Sequence, residues 1–193
     1  MAAHTATRRI VLAMTGASGV PYTVRLLEAL SNAPGVEPHL IVSDAALKVM
    51  ALESDTTLQD LSAMAAQVYT QKDLAAGPAS GSWLHAGMVV CPCSMASLAA
   101  IANGFGANLI HRAADVTLKE GRKLILVTRE TPLNQIHIQN MLQASQAGAV
   151  LLPACPGFYH QPQSIGELVD QIVGRVLDRL EVEHQLGPRW AEE

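Results

Sequence analysis

The sequence predicts an α/β domain of three layers, a parallel sheet covered by helices on both faces. Three observations lead there. Short apolar runs rich in strand formers alternate with helical patterns. Small residues, glycine, serine or threonine, stand at several junctions where a strand passes into a helix. A length of 193 residues suits one domain with a substantial buried core. No linker or internal repeat divides the chain, so a short tail over residues 1–8 and one domain over residues 9–193 are expected.

The elements follow in order. Ile10 to Met14 is an apolar strand, and Thr15-Gly16-Ala17-Ser18-Gly19 turns tightly into a helix with Val20, Val24, Leu27 and Leu30 on one face. His39 to Val42 is a second strand, with Ser43-Asp44 placed to cap a helix from Ala45 to Glu53. Met88 to Cys91 is a buried strand, and Ser94 can cap the alanine-rich helix beyond it. Leu124 to Val127 is a fourth strand. Thr131-Pro132 then reads as a cap followed by proline at the first helical position, opening a helix to about Ala147. Val150 to Leu152 is a fifth strand, and Ser164-Ile165-Gly166-Glu167 forms a capping-box pattern for a last helix to about Leu180. Two stretches stand outside the alternation, Asp73 to Ser82 and Pro153 to Gln163. Long loops in a compact domain serve either as functional segments or as connections and interface arms.

Composition limits the classes of function. Charged residues make up only 16% of the chain against 49% hydrophobic, where an average domain has ~25% charged. A surface so poor in charge is expected to be covered by other subunits. The net charge of -4 argues against a nucleic-acid partner. No apolar run approaches the ~20 residues of a membrane helix, and no hydrophobic signal core follows the first residues, so a cytoplasmic address is expected. Cys91, Cys93 and Cys155 make no disulfide framework. The Cys91-Pro92-Cys93 spacing is too short for a CxxC pair, so these read as small buried residues and no metal is expected.

In open parallel sheets ligands lie beyond the carboxyl ends of the strands, and the informative residues collect there. The Gly16 to Gly19 turn allows backbone N–H groups to approach an anion at a helix N-terminus, though tight packing also explains it, and the full GxGxxG pattern of dinucleotide binding is missing. Ser43 and Ser94 either cap helices or turn hydroxyls toward a shared crevice. Basic residues gather between His111 and Arg129, including Arg112, Lys119, Arg122 and Lys123. They form either a solvated face or a phosphate-neutralising set. Glu53 and Glu130 lie near strand-end loops. Each is either a surface residue or, in an apolar crevice, a carboxyl with a raised pKa that carries protons. No Ser-His-Asp order or HExxH motif stands out, and His111, His137 and His160 are separate.

Taken together, several segments resemble the UbiX-type flavin prenyltransferases, a flavoprotein family related to the flavin-dependent cysteine decarboxylases. The resemblance runs from about Arg9 to Trp190. It is carried by Met14-Thr15-Gly16-Ala17-Ser18-Gly19, Pro78-Ala79-Ser80-Gly81-Ser82, Cys91-Pro92-Cys93-Ser94 and Arg112-Ala113-Ala114-Asp115-Val116 with Leu118-Lys119-Glu120. It continues in Val127-Thr128-Arg129-Glu130-Thr131-Pro132 and in Pro156 to Ser164. The resemblance implies a Rossmann-like or flavodoxin-like sandwich, assembled as a dodecamer with FMN between subunits. It implies FMN contacts at Gly16, Ala17, Ser18, Ser43, Arg129 and the loop Ser94, Met95, Ala96 and Ser97. The phosphate of dimethylallyl phosphate is implied at Lys119, Tyr159 and Arg175, with Arg112 and the Ser80-Gly81 turn nearby. Glu53, Glu130, Ser18 and Lys119 are the implied catalytic residues. The implied reaction needs no metal and joins the dimethylallyl group to N5 and C6 of reduced FMN, supplying prenylated FMN to a UbiD-type decarboxylase. An FMN-dependent cysteine or aromatic-acid decarboxylase, and a non-catalytic flavin-binding module, are the alternatives. Leu74 stands where some members carry tryptophan, and the nearest tryptophan here is Trp83.

Overall fold

A computed structural model describes residues 7–187. Of the expected tail, residues 1–6 lie outside the described residues, as does Trp190. Among the described residues six strands form one parallel sheet: β1 (Arg8–Met14), β2 (Val36–Val42), β3 (Gln67–Thr70), β4 (Gly87–Cys93), β5 (Lys123–Thr128) and β6 (Val150–Leu151). The spatial order is β3-β2-β1-β4-β5-β6. The chain therefore builds outward from β1 in one direction, then returns to β4 and builds in the other. The order reverses between β1 and β4, and that reversal leaves a crevice at their carboxyl ends.

Among the described residues seven α-helices cover the sheet: α1 (Val20–Asn32), α2 (Asp44–Glu53), α3 (Leu58–Met64), α4 (Met95–Ala102), α5 (Leu109–Lys119), α6 (Gln135–Gln146) and α7 (Ile165–Leu180). Residues of β1, β4 and β5 alternate between two cores, as the strand period of two requires. Ile10, Leu12 and Met14 face α1, α2 and α7, whereas Val11 and Ala13 face the layer of α4, α5 and α6. Both faces being covered, β4 is buried along its whole length. A continuously apolar strand is the result.

The structure corrects several boundaries. The helix expected at Thr131-Pro132 begins later, at Gln135, and the Thr131–Pro132 bond is cis. Asn134 supplies the cap, its Oδ1 accepting from the His137 N–H at 2.9 Å, while His137 Nδ1 reaches back to the Asn134 N–H. A helix starts where a side chain satisfies its first-turn donors. The α7 box is offset by one residue: Ser164 Oγ accepts from the Glu167 N–H, but the Glu167 carboxylate accepts from the Gln163 N–H and the Ser164 hydroxyl, not from the Ser164 N–H. Strand β3 and helix α3 escape the sequence pattern because each is short and buries little; in α3 only Leu61 is buried. The basic run after His111 conceals α5, whose apolar side is Leu109, Ile110, Ala113, Ala114 and Val116.

Candidate functional site

Two strand ends frame the crevice. Thr15 ties them: its Oγ1 donates to the Pro92 carbonyl at 2.7 Å and accepts from the Ser94 N–H at 2.8 Å. Sequence reasoning passed over Thr15 as part of a glycine turn. The available signal was a hydroxyl residue at a strand end beside glycine, where a buried side chain needs a polar partner. Gly16 is required by close approach, since a Cβ there would lie 2.5 Å from that of Ala45. Gly19 is required by its backbone, with φ at 128°.

Ser43 and Ser94 both cap helices. Ser43 Oγ accepts from the Ala46 N–H at 3.0 Å, and Ser94 Oγ from the Ser97 N–H at 3.3 Å. Ser94 Oγ also lies 3.2 Å from Ser97 Oγ. These caps use the hydroxyls but leave the first N–H groups of α4, at Met95 and Ala96, pointing out of the helix end. They sit at the reversal point between β1 and β4, where the donors suit an anionic or flavin edge.

Glu53 departs from one of its two sequence readings. Its Oε2 accepts from the N–H groups of both Gly19 and Val20 at 2.9 Å. Partial burial pushes the carboxyl upward, but hydrogen bonds from Ser18, Gly19 and Val20 and the nearby Arg129 charge together hold it below the ordinary range. Glu53 therefore caps α1, and in this chain its hydrogen bonds favour the charged carboxylate. A negative charge on this helix end is favourable. Glu53→Gln, measured by urea unfolding, is expected to cost about 0.3–1 kcal/mol at neutral pH. Because folding lowers this pKa, the charge contribution is present above the ordinary carboxylate range. It disappears as pH falls through the folded value, so the two proteins should converge in acid.

Arg129 follows β5 directly and is exposed. Its charge acts on Glu53 and on Tyr22 of α1, placing it with the Gly16 turn. Glu130 is also exposed, and its Oε1 accepts from the Thr131 N–H at 2.9 Å. It lines a cleft with Thr128, Leu133, Met141, Pro153 and Cys155. Cys91 and Cys93 are fully buried, as small core residues should be, and burial pushes the Cys91 thiol up to about 12. Among the described residues no group of three potential ligands could hold a metal, and no helix is long and apolar enough to cross a membrane.

A second cluster is built by α5 and the loop before β4. Gly81 lies against Lys119: a Cβ at Gly81 would stand 2.9 Å from Lys119 Nζ and 2.2 Å from Glu120 Oε1. Lys119 pairs with Glu120 at 2.5 Å. Arg112 holds the Ala79 carbonyl through Nε at 3.2 Å and Asp115 at 2.6 Å. Arg122 binds the carbonyls of Gly81 and Trp83. Arg112, Lys119, Ser80 and Gly81 are thus brought together.

The remaining two phosphate candidates are elsewhere. Arg175 belongs to α7, on the opposite face of the sheet from α5, and pairs with Asp178 at 3.3 Å. Tyr159 is 80% exposed in the loop before α7. Lys119 just precedes β5 and so lies at the amino edge of the sheet, whereas Arg129 lies at the carboxyl edge. Six extended residues separate these edges by roughly 20 Å. One chain therefore holds the candidate residues in separate places: the Gly16 turn and Ser94 loop, the Lys119 cluster, Tyr159 in the loop before α7, and Arg175 on α7. Leu74 is 53% exposed, and Trp83 packs inward on α5's side of the sheet, giving no aromatic wall to the crevice.

The flavoprotein family model matches residues 2–177. The chain is 48% identical to the flavin prenyltransferase UbiX of Thauera aromatica over 94% of this chain and 93% of that one. A dodecameric FMN-dependent UbiX-like decarboxylase from Escherichia coli O157:H7 superimposes with a TM-score of 0.93, at 44% identity over 95% of this chain and 100% of the other. AnUbiX (PadA1), solved with FMN and dimethylallyl pyrophosphate, gives a TM-score of 0.93 at 46% identity over 96% and 98% of the two chains.

Proposed function

This chain belongs to the flavoprotein family, among its flavin prenyltransferases, and on that premise we propose that it joins a dimethylallyl group to N5 and C6 of reduced FMN with release of phosphate. The observation that carries this reading is the Lys119 cluster, a cationic set apart from the flavin-suited turn. A flavin carrier has no use for a second phosphate site; a prenyl donor requires one. Fixed cations stabilise the charge that gathers on a departing phosphate. Flavin here is a substrate, and it supplies the nucleophilic nitrogen and carbon.

The chain's residues divide the work. Gly16, Ala17, Ser18, Ser43 and the Ser94–Ser97 loop hold the flavin with Arg129. Lys119, Arg112 and the Ser80-Gly81 turn of one subunit meet Tyr159 and Arg175 of another around the donor phosphate, without a metal. Closing the second bond adds a proton to the prenyl double bond and removes one from flavin C6, and Glu130 takes the proton that the ring loses. Glu53 fixes Ser18 and the α1 end. The assembly is a homo-oligomer, a dodecamer as in the structural relative. Exposed apolar side chains such as Ile136 (65%), Leu142 (59%), Leu84 (70%) and Phe158 (70%) support subunit contacts. The protein acts in the cytoplasm and passes prenylated FMN to a UbiD-type decarboxylase.

Anaerobic incubation with reduced FMN and dimethylallyl phosphate tests the reaction, with the diphosphate as a second donor. The flavin mass should rise by one prenyl group. Unchanged flavin, with carbon dioxide released from an aromatic acid or a cysteine peptide, would favour a decarboxylase instead.

A further inference from the structure

Trp83 sits at the amino edge of the sheet in a compartment that the proposed chemistry does not use. Its ring meets His39 edge-on at 4.8 Å between centroids and lies 5.8 Å from His85. Arg9 stacks over its outer face at 5.1 Å. Gly77 is pressed onto the indole, since a Cβ there would stand 2.7 Å from Nε1. Both imidazoles are buried, at 8% exposure each. His39 Nδ1 lies 3.2 Å from the Tyr69 hydroxyl and His85 Nδ1 3.2 Å from the Gly87 carbonyl. The Nε2 atom of each is buried without a hydrogen-bond partner.

Trp83 is also joined to the phosphate cluster. Arg122 donates through Nη1 to the Trp83 carbonyl at 3.1 Å and through Nη2 to the Gly81 carbonyl at 2.7 Å. The Trp83 N–H donates to the Ser80 carbonyl at 3.2 Å. Two residues from the indole, Gly81 rests on Lys119. The ring is thus the inward anchor of the turn whose outer side faces Lys119.

We propose that Trp83 is a positioning residue: seated against His39 and His85, it holds the Ser80-Gly81 turn on Lys119, and protonation of that histidine pair releases the turn. This inference rests on the prenyltransferase reading.

The charged surroundings decide how the pair responds to acid. From β1 comes Arg9, from β2 Glu37, and from the segment before β5 Arg122; Tyr69 of β3 and Asp73 beyond it complete the set. Glu37 is half exposed, 4.0 Å from His39 Nε2 and 3.8 Å from Arg9 Nε. Burial lowers the His39 pKa most, Arg9 lowers it further, and Glu37 opposes them. Burial likewise dominates at His85, where the Gly87 bond opposes and Arg122 and His39 reinforce the lowering. Both rings are therefore neutral at neutral pH. Their depressed values mean that stability is fully present above the ordinary histidine range near 6.5 and is lost as pH falls below it. An imidazolium here stands near two guanidinium groups, with only the half-exposed Glu37 carboxylate to offset them.

The experiment uses the full-length oligomer. Trp83 and Trp190 are the only tryptophans, so Trp190→Phe leaves Trp83 as the sole indole reporter. On acidification from about pH 7.5 to about pH 5 its fluorescence should show a transition, and the KM for dimethylallyl phosphate should rise over the same interval. The double variant His39→Asn, His85→Asn should lose that transition. At neutral pH, Trp83→Leu should raise the donor KM about tenfold, with kcat and FMN affinity little changed, and Trp83→Phe should restore most of the loss. The inference is overturned by a wild-type donor KM in Trp83→Leu, or by fluorescence that is flat across the interval. A wild-type protein that prenylates no flavin overturns the functional reading itself. A prenylating wild type with an unaffected Trp83→Leu overturns this inference alone.

Discussion

Co-expressing a Lys119→Ala chain with an Arg175→Ala chain should restore prenyl transfer that neither variant sustains by itself. The two residues stand on helices that cover opposite faces of the sheet, so no single chain closes them around one phosphate. On the proposed reading each makes a charge-assisted contact to the donor phosphate, whose loss costs about 1.5–3 kcal/mol, or roughly ten- to a hundredfold in rate. In a mixed oligomer with subunits placed at random, about a quarter of the composite sites receive both intact residues. Activity should therefore recover to about that fraction of wild type, well above the residual rate of either variant. FMN affinity should remain largely intact throughout, because the Gly16 turn and Ser94 loop are untouched. A mixture no more active than the average of its two components would place both residues in one subunit's site, or neither in the site at all.

In Glu130→Gln, prenyl transfer should begin and then stop half-way. Glutamine keeps the length and planarity of the side chain but cannot take a proton. The change should leave local structure intact, since the amide oxygen can still accept from the Thr131 N–H that the carboxylate now holds at 2.9 Å. Phosphate should be released at close to the wild-type rate, while closure of the second bond slows by about 10²–10⁴-fold, the usual contribution of a general base. Absorbance followed over time separates the half-joined flavin from the closed product, which mass alone resolves poorly. If the ring closes at the wild-type rate, the released phosphate is the base and Glu130 has another role.

Much of this molecule was legible in its sequence because period and punctuation act locally. The apolar runs Ile10 to Met14, Met88 to Cys91 and Leu124 to Val127 are uninterrupted because both faces of each strand are covered. Ser43, Ser94 and Ser164 announce helix starts because a hydroxyl one residue before a helix satisfies donors within the next turn. The order of short motifs was enough to indicate the family, although the fold divides them between the carboxyl edge of the sheet, at the Gly16 turn, Ser94 and Arg129, and the amino edge, at Gly81 and Lys119.

What lay beyond the sequence depends on distances between residues far apart in the chain. Glu53 and Glu130 look alike as isolated carboxylates. Only the tertiary structure sets Glu53 on the N–H groups of Gly19 and Val20, more than thirty residues away, and so favours its charged form. Thr15 is unremarkable until Pro92 and Ser94 are brought against it. Trp83 is one aromatic residue after a small-residue loop until His39, His85 and Arg9 enclose it. The sequence by itself determined the strands, most helix starts and the kinds of side chain available for a flavin and a phosphate. The tertiary structure decided which of them meet, because hydrogen bonds and pKa values depend on separations of a few ångströms that no local pattern encodes.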